Sequence, residues 1–222
     1  MKGITSAEKQ IIDQLVFDAM RNPYFRQFLK GQDKMSFGAR GKMREFFYNR
    51  NAYVASGFSK AVIISDLLTN WVIKIPFFTK MPQLDYNDCI TEVYNYQLAV
   101  REGLDKYFAK TIHYGDLFGY CICLQEKCQM NISAVEEELY NSYVKEYPNS
   151  DSDVDDDEYD DYIYDAITEL DTEERLDFIF HSSELVNFCH ENKINDLHCA
   201  NIGFSQTNYE PVIIDFSGYN CH

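Results

Sequence analysis

Apolar residues recur at helical spacing at the start of the chain, where Ile11, Ile12, Leu15, Val16, Ala19 and Met20 fall on one stripe. Ser6 is placed to cap the helix this stripe predicts. Asn22-Pro23 ends it, because proline has no amide hydrogen with which to continue the ladder. A second short helix is expected over 24–29, before Gly31, and residues 36–43 (SFGARGKM) read as a loop. From 52 to 78 the pattern changes. The stretches 53–56, 61–65 and 70–77 are rich in β-branched and aromatic residues, with turn signals at Gly57 and Asp66. Pro76 and Pro82 bracket a loop.

Helical spacing returns over 88–102, with Ile90, Val93, Tyr94, Gln97 and Leu98 on one face. Two short strands, 111–114 and 120–125, follow around a glycine-containing turn. A second long helix is predicted from about Thr172 to Glu191, its apolar positions being Leu176, Ile179, Phe180, Leu185, Phe188 and Cys189. The chain closes with a hairpin-like pair, 201–205 and 211–216, around Gln206-Thr207-Asn208. The fold class is α+β: a strand-rich part with one helix, then a helical part closed by a small hairpin.

Composition fits a packed core: 45% of the 222 residues are hydrophobic and 15% aromatic. The net charge of −16 is local. Residues 135–177 hold 18 acidic and two basic residues, which accounts for the whole excess. Within that segment 148–161 (PNSDSDVDDDEYDD) is of low complexity and reads as a solvated insertion. It is not an EF-hand, because Asp156 and Tyr162 stand where a calcium loop needs Gly and Glu. Residues 1–50 are mildly basic, with ten basic and five acidic residues. Net acidity argues against a nucleic-acid partner. No apolar run approaches the roughly 18 residues of a membrane span, and the start lacks a secretory h-region, so a cytoplasmic protein is expected. Seven cysteines without a CxxC pair fit reduced thiols better than a disulfide scaffold or a structural zinc site. Cys121 and Cys123 point the same way on a strand and read as small hydrophobes. His113, His181 and His190 show no ligand-like spacing.

One ordered set of residues carries chemistry. Ala55-Ser56-Gly57-Phe58-Ser59-Lys60-Ala61-Val62 lies between two strands. Trp71-Val72-Ile73-Lys74-Ile75 places a lysine inside an apolar strand, where a charge needs a partner. Glu92 follows 18 residues later on the helix, with Glu102 a less well-spaced rival. Asn195-Asp196-Leu197-His198-Cys199-Ala200-Asn201 sets an Asp and an Asn five apart, and Val212-Ile213-Ile214-Asp215-Phe216 ends a strand on Asp-Phe. Phosphoryl transfer from a nucleoside triphosphate requires groups of these kinds: a loop over the phosphates, a cation touching them, an acid holding that cation, a base for the acceptor, and hard oxygen ligands for magnesium.

In these motifs the chain resembles the protein-kinase-like superfamily over about residues 52–218. The resemblance implies a two-lobed protein-kinase-like fold. Residues 1–50 would form an N-terminal helical extension, 51–128 the N-lobe and hinge, and 129–222 a C-lobe with the acidic insertion at about 147–171. It further implies ATP and Mg2+ as cofactors. Lys74 would contact the α and β phosphates and pair with Glu92, and Asp196 would act as the catalytic base. Asn201 and Asp215 would bind magnesium. Gly57, Phe58, Ser59, Val62 and His198 would line the nucleotide site, and backbone groups of Glu126 and Cys128, within the hinge 125–128, would meet the adenine.

The departures narrow what is implied. The phosphate loop keeps only Gly57, with Ala55 and Lys60 where the family has two more glycines, so backbone approach to the phosphates is less free. Ile194 and Asn195 replace the family's His-Arg, which removes the usual receptor for an activation-loop phosphate. Ser217 replaces the glycine of Asp-Phe-Gly. His198 stands where protein kinases have lysine, a pattern that looks like the small-molecule phosphotransferase branch. Only seven residues follow Asp215, so the C-lobe is expected to be truncated, lacking activation segment and substrate platform, as in minimal kinases of bacterial effectors and phages. The expected function is a serine/threonine protein kinase acting on a protein substrate or with an activating partner protein. Two alternatives stand beside it: a non-catalytic binding module that docks a basic protein through its acidic insertion, and a small-molecule kinase.

Overall fold

The computed structural model describes residues 3–30, 35–56, 59–78, 88–129, 182–194, 197, 201–207 and 210–216. It is α+β, with antiparallel sheets, and divides into two compact units: Met1–Asp105 with Ala109–Lys127, and Lys106–Phe108 with Cys128–His222. Among the described residues no helix is long and apolar enough to cross a membrane.

The first unit opens with three helices, α1 (Ser6–Arg21), α2 (Pro23–Leu29) and α3 (Phe37–Tyr48). The cap of α1 is Thr5 rather than Ser6. Thr5 Oγ1 accepts from the Glu8 N–H at 3.1 Å, while Glu8 Oε2 accepts from the Thr5 N–H at 2.9 Å. That reciprocal box needs an acidic residue three positions on; counted from Ser6 the position holds Lys9, which accepts nothing. Asn22 ends α1 and starts α2, its Oδ1 accepting from the N–H groups of Tyr24 and Phe25, with Pro23 at the first helical position.

The stretch 36–43, expected to be a loop, belongs instead to α3. Ser36 caps it, accepting from the Ala39 N–H at 3.3 Å. Its glycines misled the sequence reading: Gly38 and Gly41 each cost a helix about 1 kcal/mol relative to alanine. Burying Met43 and Phe47, one turn apart, contributes roughly 1.5–3 kcal/mol each and outweighs them. The Phe47 ring meets Phe25 edge-on at 5.2 Å. Arg50, just past α3, ties it to α1: its Nε donates to Asp18 Oδ2 at 3.0 Å and its guanidinium lies 3.8 Å above the Phe46 ring. That hydrogen bond holds the Asp18 carboxyl below its ordinary pKa.

These helices cover one face of a five-stranded antiparallel sheet, ordered β1 (Ala52–Ser56), β2 (Lys60–Ser65), β3 (Trp71–Pro76), β5 (Tyr120–Glu126), β4 (Thr111–Leu117). Alternation sends Ala61, Ile63, Trp71, Ile73, Ile75, Ile122 and Leu124 into a core shared with Ile12, Leu15, Phe25, Leu29 and Phe47. On the other face α4 (Asp88–Glu102) packs against β3, β4 and β5. Its inward face is not the expected one. Cys89, Glu92, Val93, Tyr96 and Ala99 are buried, whereas Ile90 and Tyr94 are each 55% exposed. The helix is turned so that its carboxylate, not its longest apolar stripe, faces the sheet. A tight loop links β4 to β5 at Phe118-Gly119, both with positive φ (52° and 82°), as a two-residue hairpin turn requires.

In the second unit a short strand, β6 (Cys128–Gln129), pairs with β7 (Ile202–Ser205), which pairs with β8 (Pro211–Ile213), all antiparallel. The helix expected from about 172 to 191 begins at Ser183 in the structure: α5 is Ser183–Glu191. Ser182 is extended (φ −116°, ψ 114°) and its hydroxyl accepts from the Leu185 N–H, a cap that starts a helix and cannot lie inside one. Residues 172–181 lie outside the described residues. Phe108, Phe188 and Phe216 form the aromatic centre of this unit, with Phe108 5.5 Å from Phe188 and 5.2 Å from Phe216.

Integration of α3 into the core is testable. Phe47→Ala should cost about 3–5 kcal/mol of unfolding free energy in chemical denaturation, through lost transfer energy and a residual cavity. A loss below about 1 kcal/mol would mean that 36–48 behaves as an appended segment.

Candidate functional site

β3 is the middle strand and all six of its residues are buried. With both faces covered, alternation puts Ile73 and Ile75 against the N-terminal helices and sends Lys74 to the α4 side. In the β2–β3 register Val62 lies opposite Lys74, and Lys60 opposite Pro76. Lys60 and Lys74 are therefore diagonal neighbours on one face, a separation that long side chains bridge. Above them stands Glu92 of α4. Lys74 Nζ lies 3.0 Å from both Glu92 Oε1 and Oε2, and Lys60 Nζ lies 2.8 Å from Oε1. Glu92 has no exposed surface; Lys60 is 2% and Lys74 4% exposed. Two ammonium groups from adjacent strands thus meet one carboxylate in the interior.

Burial on this scale is tolerated only because the charges meet. An isolated ion loses several kcal/mol of hydration on entering a protein interior, and attraction over about 3 Å offsets that only with good geometry. The surroundings are apolar and soft. Cys89 and Val93 of α4 pack with Cys121 and Cys123 of β5, and Cys123 is the cross-strand partner of Lys74. Burial pushes the Cys89 thiol well up, assisted by its hydrogen bond with Cys123, and pushes Cys121 up to about 12. Cys89 and Cys121 stay protonated at neutral pH, and Cys121 and Cys123 pack as small hydrophobes, as their alternation on the strand implied.

The structure brings the predicted pair Lys74 and Glu92 together. The rival Glu102 is exposed in the last turn of α4. Val62 lies beside Lys74 on β2, and Ser59 precedes Lys60, its carbonyl accepting from the Phe77 N–H at 2.9 Å. Gly57 and Phe58 lie outside the described residues. Glu126 ends β5, and its N–H donates to the Lys110 carbonyl at 2.8 Å. Cys128 opens β6 opposite Ser205, so the division between units falls between Lys127 and Cys128, inside the stretch 125–128.

Within the second unit, Asn201 and Asp215 flank the same end of the β7–β8 pair. The Asn201 carbonyl accepts from the Ile214 N–H at 2.8 Å, and Asp215 is the next residue. Asn201 is 8% exposed. Asp215 is half-buried, and the next residue, Phe216, has no exposed surface. Asp196 and His198 lie outside the described residues.

Lys60, expected from the sequence only as a glycine replacement, joins the Lys74–Glu92 pair in the structure. Its signal was present: Lys60 begins an apolar strand and lies two residues from Val62, on the face that carries Lys74. His113, without ligand-like spacing in the sequence, has neighbours in the fold. A bulge between His113 and Gly115 in β4 restores the face that a three-residue step would otherwise change. His113 Nε2 therefore sits 3.2 Å from Asp116 Oδ1, with Cys121 Sγ close by.

Compared with protein-family models, with curated proteins and with solved structures, the chain matches none.

The shared carboxylate makes an asymmetric prediction. Glu92→Gln leaves two buried ammonium groups facing each other and should destabilise the protein by about 3–5 kcal/mol. Lys60→Met or Lys74→Met leaves Glu92 with the other cation and should cost clearly less. Urea unfolding of the three variants decides the point, and equal losses for all three would contradict the shared arrangement.

Proposed function

We propose that this chain is an ATP- and magnesium-dependent phosphotransferase with a two-lobed, protein-kinase-like arrangement of its functional groups, acting on protein hydroxyls. The observation that carries the reading is the contact of Lys74, buried in the central strand, with Glu92 of the helix packed against that strand. A lysine so placed is held extended and oriented by its carboxylate, the arrangement in which an ammonium group can position an anion.

The other residues fit their parts in turn. Asn201 and Asp215 offer hard oxygen donors at one end of a strand pair, the ligand type magnesium prefers. Bound there, magnesium would neutralise charge on the phosphate oxygens. Phe216, packed on Phe108, anchors the chain next to Asp215. Asp196, five residues before Asn201, is assigned the acceptor hydroxyl: its carboxylate would accept that hydroxyl's hydrogen and orient the oxygen for attack.

Thermal unfolding with ATP and magnesium tests this reading. A ligand that binds only the folded state at about 100 times its dissociation constant stabilises by roughly 2.7 kcal/mol. At about 2–4 °C per kcal/mol for a protein of this size, the wild type should gain several degrees. Asp215→Ala should lose the magnesium-dependent part of that gain. Asp196→Ala should keep the gain and lose transfer of labelled phosphate to protein. A wild type with neither thermal gain nor phosphate transfer would overturn the proposal.

A further inference from the structure

We propose that Lys60 is a second phosphate-binding cation of the Glu92 site, so that nucleotide phosphates are met by lysines from two neighbouring strands. The inference rests on the phosphotransferase reading and adds a binding residue to it.

Three observations converge on Lys60. The first is position: it opens β2 directly after residues 57–59, the connection from β1 that in that reading covers the phosphates. The second is direction. The β2–β3 register sets Lys60 on the face of Lys74, diagonally across from it, and both ammonium groups reach the same oxygen, Glu92 Oε1, at 2.8 and 3.0 Å. The two ammonium groups therefore lie side by side on one carboxylate oxygen. The third is cost. A lysine with 2% exposure sits in one of the least favourable places for its charge, at a strand position where an alanine or valine would pack without one.

The chemistry suits the ligand. Each ammonium carries three donors on a flexible four-carbon stem and acts toward phosphate as a compact point charge. Two such charges on one carboxylate make a cradle in which Glu92 orients both ammonium groups for phosphate oxygens. Where the glycine-rich loops of the resembled family approach phosphates with backbone amides, this chain has a lysine at the loop's exit. The side-chain charge would supply attraction that the sparser glycines do not.

The test is the dependence of affinity on phosphate number. Adenosine, ADP and ATP are titrated with magnesium into the full chain by calorimetry, for the wild type, Lys60→Met, Lys74→Met and the double variant. Methionine preserves the stem and its packing. The expected result is ATP affinity reduced about tenfold or more in each single variant, the effect of losing one charge-assisted hydrogen bond, and reduced further in the double variant. Adenosine affinity should stay the same throughout, a pattern that a purely structural role for Lys60 would not produce. Lys60→Gln, which keeps a donor for Glu92 without the charge, is read in the same way should Lys60→Met not fold. Wild-type ATP affinity above that of adenosine, unchanged in the Lys60 variant, overturns this inference alone. A wild type that binds ATP no more tightly than adenosine, or not at all, overturns the phosphotransferase reading and this inference with it.

Discussion

A carboxylate with no solvent exposure, held between two lysines of neighbouring strands, fixes the geometry of the first unit. Glu92 cannot rotate toward water without stranding Lys60 and Lys74, which are 2% and 4% exposed. The interaction therefore determines which face α4 turns to the sheet. It explains why Ile90 and Tyr94 stay in solvent while a charged residue goes in. Buried ion groups of this kind add little net stability compared with an apolar substitute, but breaking one is costly.

The rest of the first unit insulates that centre. One sheet face is sealed by α1, α2 and α3 through Ile12, Leu15, Phe25 and Phe47, so the strand that carries Lys74 is covered on its far side. The near face is lined by Cys89, Val93, Cys121 and Cys123, whose low polarity strengthens every charge interaction beside them. The basic N-terminal helices are in this sense part of the scaffold of the candidate site. The capping box of Thr5 and Glu8 even reaches the sheet, because Glu8 Oε1 accepts from Asn70 Nδ2 at 2.9 Å in the turn before β3. The second unit is organised around Phe108, Phe188 and Phe216, and holds Asn201 and Asp215 at one strand end.

What could be read from the sequence followed the strength of the local signal. Strands β1 to β3 and the limits of α4 were legible, because β-branched runs and helical spacing are sharp there. Lys74 stood out for the same reason, as a charge in the run Trp71-Val72-Ile73-Lys74-Ile75, and its spacing to Glu92 gave the partner. The helix α3 was not legible. Gly38 and Gly41 suggest a loop, and only the burial of Met43 and Phe47 against other helices overrides them, a tertiary effect that no local window contains. The face of α4 was misread for a related reason: hydrophobic spacing favours Ile90 and Tyr94, whereas the facing surface carries two lysines. The contribution of Lys60 depends on strand register, which a single strand does not encode.

The most direct measurement of the central claim is NMR of the wild-type chain with 15N-labelled lysine side chains. Buried, hydrogen-bonded ammonium groups exchange their protons with water slowly enough to be observed near neutral pH, whereas the exposed lysines exchange rapidly. The account predicts that Lys60 and Lys74, assigned by single substitution, both give protected ammonium signals, and that both signals shift when Glu92 is changed to Gln. Protection of only one of them, or a Lys60 signal indifferent to Glu92, would contradict a carboxylate shared between the two strands.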